Sequence, residues 1–252
     1  MLLQQAIAYI SRKRTRNLVL FLILLLILSC LYFCFSLMQV GGRLEDHIKQ
    51  SAGTSFALTS KQGATPFALK EAEKVQQLSG IGSMVPQYES PVRIIGKEAV
   101  TGQQSVERDD LGQEAKQALG AVFTQKTDQH LDFRSGSFQL VQGKHLSDKA
   151  RGQILIHEEL AKKNKLKVGD SLTLSSFQMG ETPAKEQTFK IVGIFSGKKQ
   201  EKFTGMTSDL SENQVYLPYE DATKLLGLSQ QEVTQVTFGV KDPEKIDALL
   251  KQ

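Results

Sequence analysis

From Leu18 to Met38 every position is hydrophobic except Ser29 and Ser36. A helix of that length rises about 31 Å, which matches a hydrocarbon core of about 30 Å. The pattern therefore predicts one membrane-spanning helix over 18–38, continued outward through Leu44 to Gln50. Before it, Leu3, Ile7 and Ile10 fall at i, i+4 and i+7 with Gln4, Gln5 and Ser11 elsewhere on the wheel. That stripe suits a short helix lying in the interface of the inner leaflet. A frayed tail is the alternative.

After the span the periodicity changes to short alternating runs. Strands are predicted at Ser55–Thr59, Phe138–Val141, Gln153–Ile156, Ser171–Leu174, Thr188–Phe195, Val215–Leu217 and Gln235–Val240. Helices are predicted from Thr65-Pro66 to Gly80, with Thr65 as N-cap, and at Glu158–Asn164, Tyr219–Leu226 and Pro243–Leu250. The first of these carries Leu69, Ala72, Val75 and Leu78 on one face. Val85 and Val92–Ile95 read as extended pieces broken by Pro86 and Pro91, and a helix is expected around Leu111–Leu119. The fold class is α+β, with no internal repeat and no long linker.

Charge gives the span a direction. Arg12, Lys13, Arg14 and Arg16 precede it without an acid, and the span itself is uncharged. The other 27 of the 31 cations face all 27 acids in residues 39–252, so the net +4 sits beside the apolar run. Cations flanking a span stay in the cytoplasm, which places residues 39–252 outside. A nucleic-acid footprint would need basic residues clustered on the folded domain, and that class is excluded as a reading. A cleaved signal peptide is a rival, but its apolar region is about 7–15 residues and ends at small side chains. Here the run continues through Leu31, Tyr32, Phe33 and Phe35. Ile27-Leu28-Ser29-Cys30 also approximates a lipoprotein signal, although Leu28 is bulky for it. Cys30 and Cys34 share a helix face, and packing is the expected role.

Candidate chemistry fails on spacing. His157-Glu158-Glu159-Leu160-Ala161 has Ala161 where a zinc-protease helix needs its second histidine. His47, His130, His145 and His157 are scattered, and no cysteine follows Cys34 to join them. Gly197-Lys198-Lys199 resembles the end of a phosphate loop, but Val192 replaces its first glycine and Lys199 its hydroxyl. Glu107, Asp109 and Asp110 read as a solvated loop. No catalytic constellation, metal site or cofactor site is expected.

The more specific pattern lies at 143–240. Gly143-Lys144-His145-Leu146 is followed by Ile154 to Ala161, including Leu160, and then by Leu166 to Leu174 with Gly169-Asp170 at the turn. Phe189 to Ile194, with Gly193, and Val215-Tyr216-Leu217-Pro218 complete the series. This ordered set resembles the outer core domain of MacB/FtsX-type ABC transporter permeases, and most closely the Vex-type peptide exporters of Gram-positive bacteria. Lys144 departs from the arginine common there.

The resemblance implies a four-span permease with a two-lobed outer α+β domain between spans one and two. It also implies a separate ABC ATPase subunit, a permease partner in a homo- or heterodimer, and a lipid bilayer around the span. In those terms 1–17 is a cytoplasmic basic segment, 18–38 the span and 39–252 the outer domain. The lobe inserted between two βα units would be 137–226, with those units at 54–95 and 233–251. The second unit stops short of a further strand. The sequence accordingly reads as the front part of a permease for peptide or similar export, and 235–250 is expected to be its least protected segment. The alternative function is a single-pass or lipid-anchored extracellular binding or adaptor protein without a transport role.

Overall fold

The computed structural model describes residues 14–52, 55–60, 65–102, 113–177, 185–201, 205–228 and 232–240. The expected interfacial helix, the acids at 107–110 and the helix from Pro243 lie outside the described residues. Two units are present, 1–50 and 51–252. In the first, α1 spans Arg14–Ala52. Its Leu18–Ser36 stretch has a mean hydropathy of 3.0 and is long and apolar enough to cross a membrane. The side chains there are exposed on every face, Leu18 at 59% and Leu26 at 62%. Such a surface suits lipid rather than water.

The second unit runs β1 (Ser55–Thr59), β2 (Phe67–Ala68), α2 (Leu69–Gln76), β3 (Ile81–Ile95), β4 (Ala118–Thr124), α3 (Leu131–Arg134) and β5 (Phe138–Gly143). It continues with β6 (Gln153–His157), α4 (Glu158–Asn164), β7 (Ser171–Ser176), β8 (Glu186–Gly197), β9 (Gln214–Pro218), α5 (Tyr219–Leu226), β10 (Glu232–Val233) and β11 (Gln235–Val240). Nine strands form one sheet in the order β1-β11-β3-β4-β9-β6-β8-β5, and β7 pairs with both β3 and β8. That double pairing closes β3, β4, β9, β6, β8 and β7 into a ring. The ring pairs each of its strands with two others of the ring, and β1 and β5 form the two ends of the sheet order.

All six ring strands send side chains into one core, among them Val92, Leu119, Ile156, Leu174, Ile191 and Leu217. The intervening residues Val122, Leu155 and Tyr216 point the other way into a second core with Phe138, Leu146 and Phe195. Strands β4, β6 and β9 are therefore buried on both faces. Helix α5 lies against β3, β4, β7, β8 and β9 and contributes Tyr219, Ala222 and Leu225 to the first core. Asp221 anchors it: its carboxylate accepts from Gly152 N–H at 2.7 Å and from Gln187 Nε2 at 3.4 Å.

Three expectations are corrected. The helix after residue 65 begins at Leu69, and Ala68 caps it without a side-chain bond. Phe67 and Ala68 pair instead with Val233 and Glu232, which removes Thr65 from the cap position. Leu69, Ala72, Val75 and Leu78 nevertheless pack on the core as the pattern predicts. Pro86 and Pro91 do not break the chain, because β3 runs through both. Pro86 pairs only with Val236 of β11, and Pro91 only with Gly120 of β4. A missing N–H costs nothing on a side with no neighbour. Finally, Ala118–Thr124 is a strand preceded by a 3-10 turn at Gln113–Gln117, not the end of a helix.

Candidate functional site

The ring has a seam. Strand β8 carries β5 and β7 end to end along the same edge, with Gly143 opposite Gly193 and Ser171 opposite Lys190. Between those pairs the edge at Ile191 and Val192 is closed by turns. Lys144 N–H donates to Val192 O at 3.0 Å, Gly169 N–H to Ile191 O at 2.8 Å, and Ile191 N–H to Asp170 O at 2.8 Å. Asp170 fixes the second turn by accepting from Lys167 N–H at 2.8 Å. Gly143 and Gly169 have φ values of +80° and +104°, a region that favours glycine. Four of the motif positions, Gly143, Gly169, Asp170 and Gly193, thus meet at this seam.

The seam opens on a groove of about 530 Å³ lined by Gly143, Lys144, Gln153, Val168, Gly169, Lys190, Ile191 and Val192. Its carboxylate-free lining carries two ammonium groups and one exposed apolar side chain, Val168.

The remaining motif positions lie apart. Leu160 and Ala161 are buried on α4 in the first core. Pro218 ends β9 opposite Thr124 and starts α5. His145 stands beside the second core, with Nδ1 3.1 Å from Thr127 Oγ1 and its ring edge-on to Phe133. Arg14 and Arg16 lie in the first turn of α1, Leu18 and Met38 within it, and Arg12 and Lys13 outside the described residues.

Two histidines do work that the sequence did not reveal. His157 Nδ1 accepts from Glu159 N–H at 3.2 Å and caps α4. The proton then sits on Nε2, which donates to Gly197 O at 3.0 Å. His130 repeats the arrangement on α3, accepting from Asp132 N–H at 3.2 Å, but its buried Nε2 has no partner among the described residues. The signal available was a shared spacing, a histidine two residues before an acid. Burial lowers the pKa of His130 to about 4, with Asp132 opposing and Lys199 reinforcing the shift. Its 3.6 Å approach to Asp132 Oδ2 is therefore no ion pair at neutral pH. The same carboxylate oxygen accepts from Tyr216 OH at 2.6 Å and lies 3.7 Å from Lys199 Nζ. Burial, then Asp132, raises the Tyr216 phenol well above its usual range. Phe133, Phe138 and Phe195 pack around the Tyr216 ring, with Asp132 and Lys199 partly exposed beside it, which is a packing arrangement rather than an open site. Among the described residues no group of three or more His, Cys, Asp or Glu could hold a metal ion.

The comparison with known families decides the relationship. Residues 21–252 match the family described as the MacB-like periplasmic core domain. The chain belongs to that family. The match takes in both most of the apolar helix and the whole sheet unit, so the MacB-like assignment expected from residues 143–240 holds for nearly the entire chain. An uncharacterized ABC transporter permease of Bacillus subtilis (strain 168), YclI, is 29% identical over 127 residues, 48% of this chain and 25% of that protein. The chain spans about a quarter of the length of that relative. Two solved structures are similar to this MacB-like chain. The extracellular domain of the noncanonic ABC-type transporter YknZ from Gram-positive bacteria aligns at 12% identity and a TM-score of 0.46, covering 78% of this chain and 87% of that one. The periplasmic region of MacB from Actinobacillus actinomycetemcomitans aligns at 13% and 0.47, covering 82% and 85%.

Proposed function

We propose that this MacB-like chain is the first span and outer domain of an ABC transporter permease that moves peptide or a similar substrate outward. Residues 1–17 lie in the cytoplasm, 18–38 cross the bilayer and 39–252 stand outside, with 137–226 as the inserted lobe. A separate ABC ATPase supplies the energy, and a permease partner completes the membrane part. The outer domain carries the resulting motion across the membrane and performs no bond chemistry of its own.

The observation that carries this reading is the family match over 21–252, which joins a membrane-length helix to the sheet unit in one pattern. A six-strand ring with a core inside it and a second core against β4, β6 and β9 suits a lever, because close-packed interiors deform little under load. The test is in-cell crosslinking followed by affinity capture of the tagged chain from its native host. Recovery of an ABC ATPase together with a multi-span permease is expected. Capture of secreted or surface proteins with neither would replace the transport reading with that of a membrane-held adaptor.

A further inference from the structure

The seam groove goes beyond the proposed function and stands without it. Lys144 and Lys190 line it, both exposed, and neither has an ion-pair partner among the described residues. Lys165 and Lys167 are exposed on the turn that carries Val168, so the surroundings are basic in a region whose total charge is balanced. Asp170, the acid nearest in sequence, is engaged with the Lys167 amide. Val168 is 40% exposed, and outside the apolar helix only Leu131 and Val141 join it as exposed large hydrophobics among the described residues. Gly169 has open space where a side chain would stand, so the backbone is bare at that point.

We propose that this groove binds an extended acidic segment of a partner protein. Successive side chains of an extended chain alternate in direction. Carboxylates would therefore meet Lys144 and Lys190, while apolar side chains on the other face pack on Val168. The bare glycine backbone gives the segment close access. Val168 beside the two ammonium groups gives the groove a mixed lining, which a chain alternating acidic and apolar side chains matches and a layer of anionic headgroups does not. Protein is thus the occupant, and lipid is the rival that the test must separate.

The experiment uses the full chain in neutral detergent and a fluorescein-labelled decapeptide of alternating Glu and Leu, followed by anisotropy. Binding should weaken at high salt, because these charges are screened. The double variant Lys144→Glu, Lys190→Glu should lose roughly tenfold or more in affinity, and Lys144→Gln, Lys190→Gln a smaller factor. Lys70→Glu with Lys224→Glu, on exposed positions of α2 and α5, should bind as the parent does. An alternating Lys-Leu peptide should not bind. The proposal is overturned if the Glu-Leu peptide fails to bind the parent, if the groove variants bind it equally, or if only phosphatidylglycerol vesicles respond to the charge reversal.

Discussion

Gly143 stands opposite Gly193 across β5 and β8, and neither has room for a Cβ. A methyl on Gly143 would run into Val192 O, and one on Gly193 would lie 2.7 Å from Lys144 O. Gly143 is also held at φ +80°. Both obstacles are backbone atoms that close the seam, so they cannot swing aside as a side chain would. Gly143→Ala is expected to destabilise the sheet unit by about 2 kcal/mol or more, combining the left-handed backbone with the clash. Gly152→Ala is the control, since Gly152 has φ +60° but open space around its Cα. Urea midpoints of the detergent-solubilised chains give the comparison. A Gly143→Ala midpoint equal to that of Gly152→Ala would mean that the seam yields.

His130 makes the stability pH-dependent. Its folded-state pKa is about 4, below the usual 6.5 for an unfolded histidine. The unfolded chain therefore binds the proton first as pH falls. The contribution is complete above about pH 6.5, declines between about 6.5 and 4, and is constant below. The upper limit of the loss is about 3 kcal/mol. Protonation would also place a hydrogen on Nδ1, where Asp132 N–H now donates. His130→Asn keeps a capping acceptor without titrating, so its stability should vary less over this window. Parallel pH profiles for the two chains would rule out His130 as the group responsible.

Asn213 acts as a clamp between distant segments. Its Oδ1 accepts from Val100 N–H at 2.7 Å, while Nδ2 donates to Val100 O at 2.7 Å and to Thr207 O at 2.9 Å. The residue is fully buried. Asn213→Ala strands those backbone groups, and a loss of about 2–4 kcal/mol is expected. Asn213→Asp keeps the acceptor but removes both donors and buries a charge, so it should be at least as damaging. Thermal melts followed by far-ultraviolet circular dichroism measure both. A shift within error of the parent would show that water replaces the amide.

The orientation of α1 rests on the cations before it. Protease added outside intact cells or spheroplasts should remove the sheet unit and leave a short membrane-held stub. Release of an intact soluble domain without protease would mean cleavage after a signal sequence. Radiolabelled fatty acid on Cys30 would instead indicate a lipoprotein. Either result removes the uncleaved anchor.

Strands were legible wherever one face was wet. Strand β8 shows it in Thr188 to Ile191, where exposed Thr188 and Lys190 alternate with buried Phe189 and Ile191. In β4 that alternation is absent, because Leu119, Ala121 and Phe123 fill one core and Val122 the other. A strand buried twice reads as a plain apolar run, and Ala118, Ala121 and Gly120 have little strand preference. The prolines misled for a different reason. Their cost depends on whether a neighbour faces the missing N–H, which only the pairing of β3 with β11 and β4 discloses. Of the eight motif residues, Gly143, Gly169, Asp170 and Gly193 meet in space, while His145, Leu160, Ala161 and Pro218 lie apart. The meeting of those four at the seam depends on β5 and β7 sharing one edge of β8, a long-range pairing with no local signature.

Strand β11 provides the last test, because pattern and topology disagree about it. Because the second βα unit was read as stopping short of a further strand, 235–250 was expected to be the least protected segment. In the fold β11 lies between β1 and β3, with Val236 opposite Leu58 on one side and Pro86 on the other. Phe238 is fully buried and stacks on Phe56 at 5.3 Å. The exposed edge belongs to β1. Amide exchange follows local opening, and an interior strand opens only when its neighbours separate. Hydrogen exchange with mass spectrometry on the solubilised chain should therefore show 235–240 protected nearly as well as 188–195, and 55–59 exchanging faster than both. Rapid exchange at 235–240 with slow exchange at 188–195 would mean that β1 and β11 detach from β3 as a unit. The ring would then be the only persistent part of the sheet.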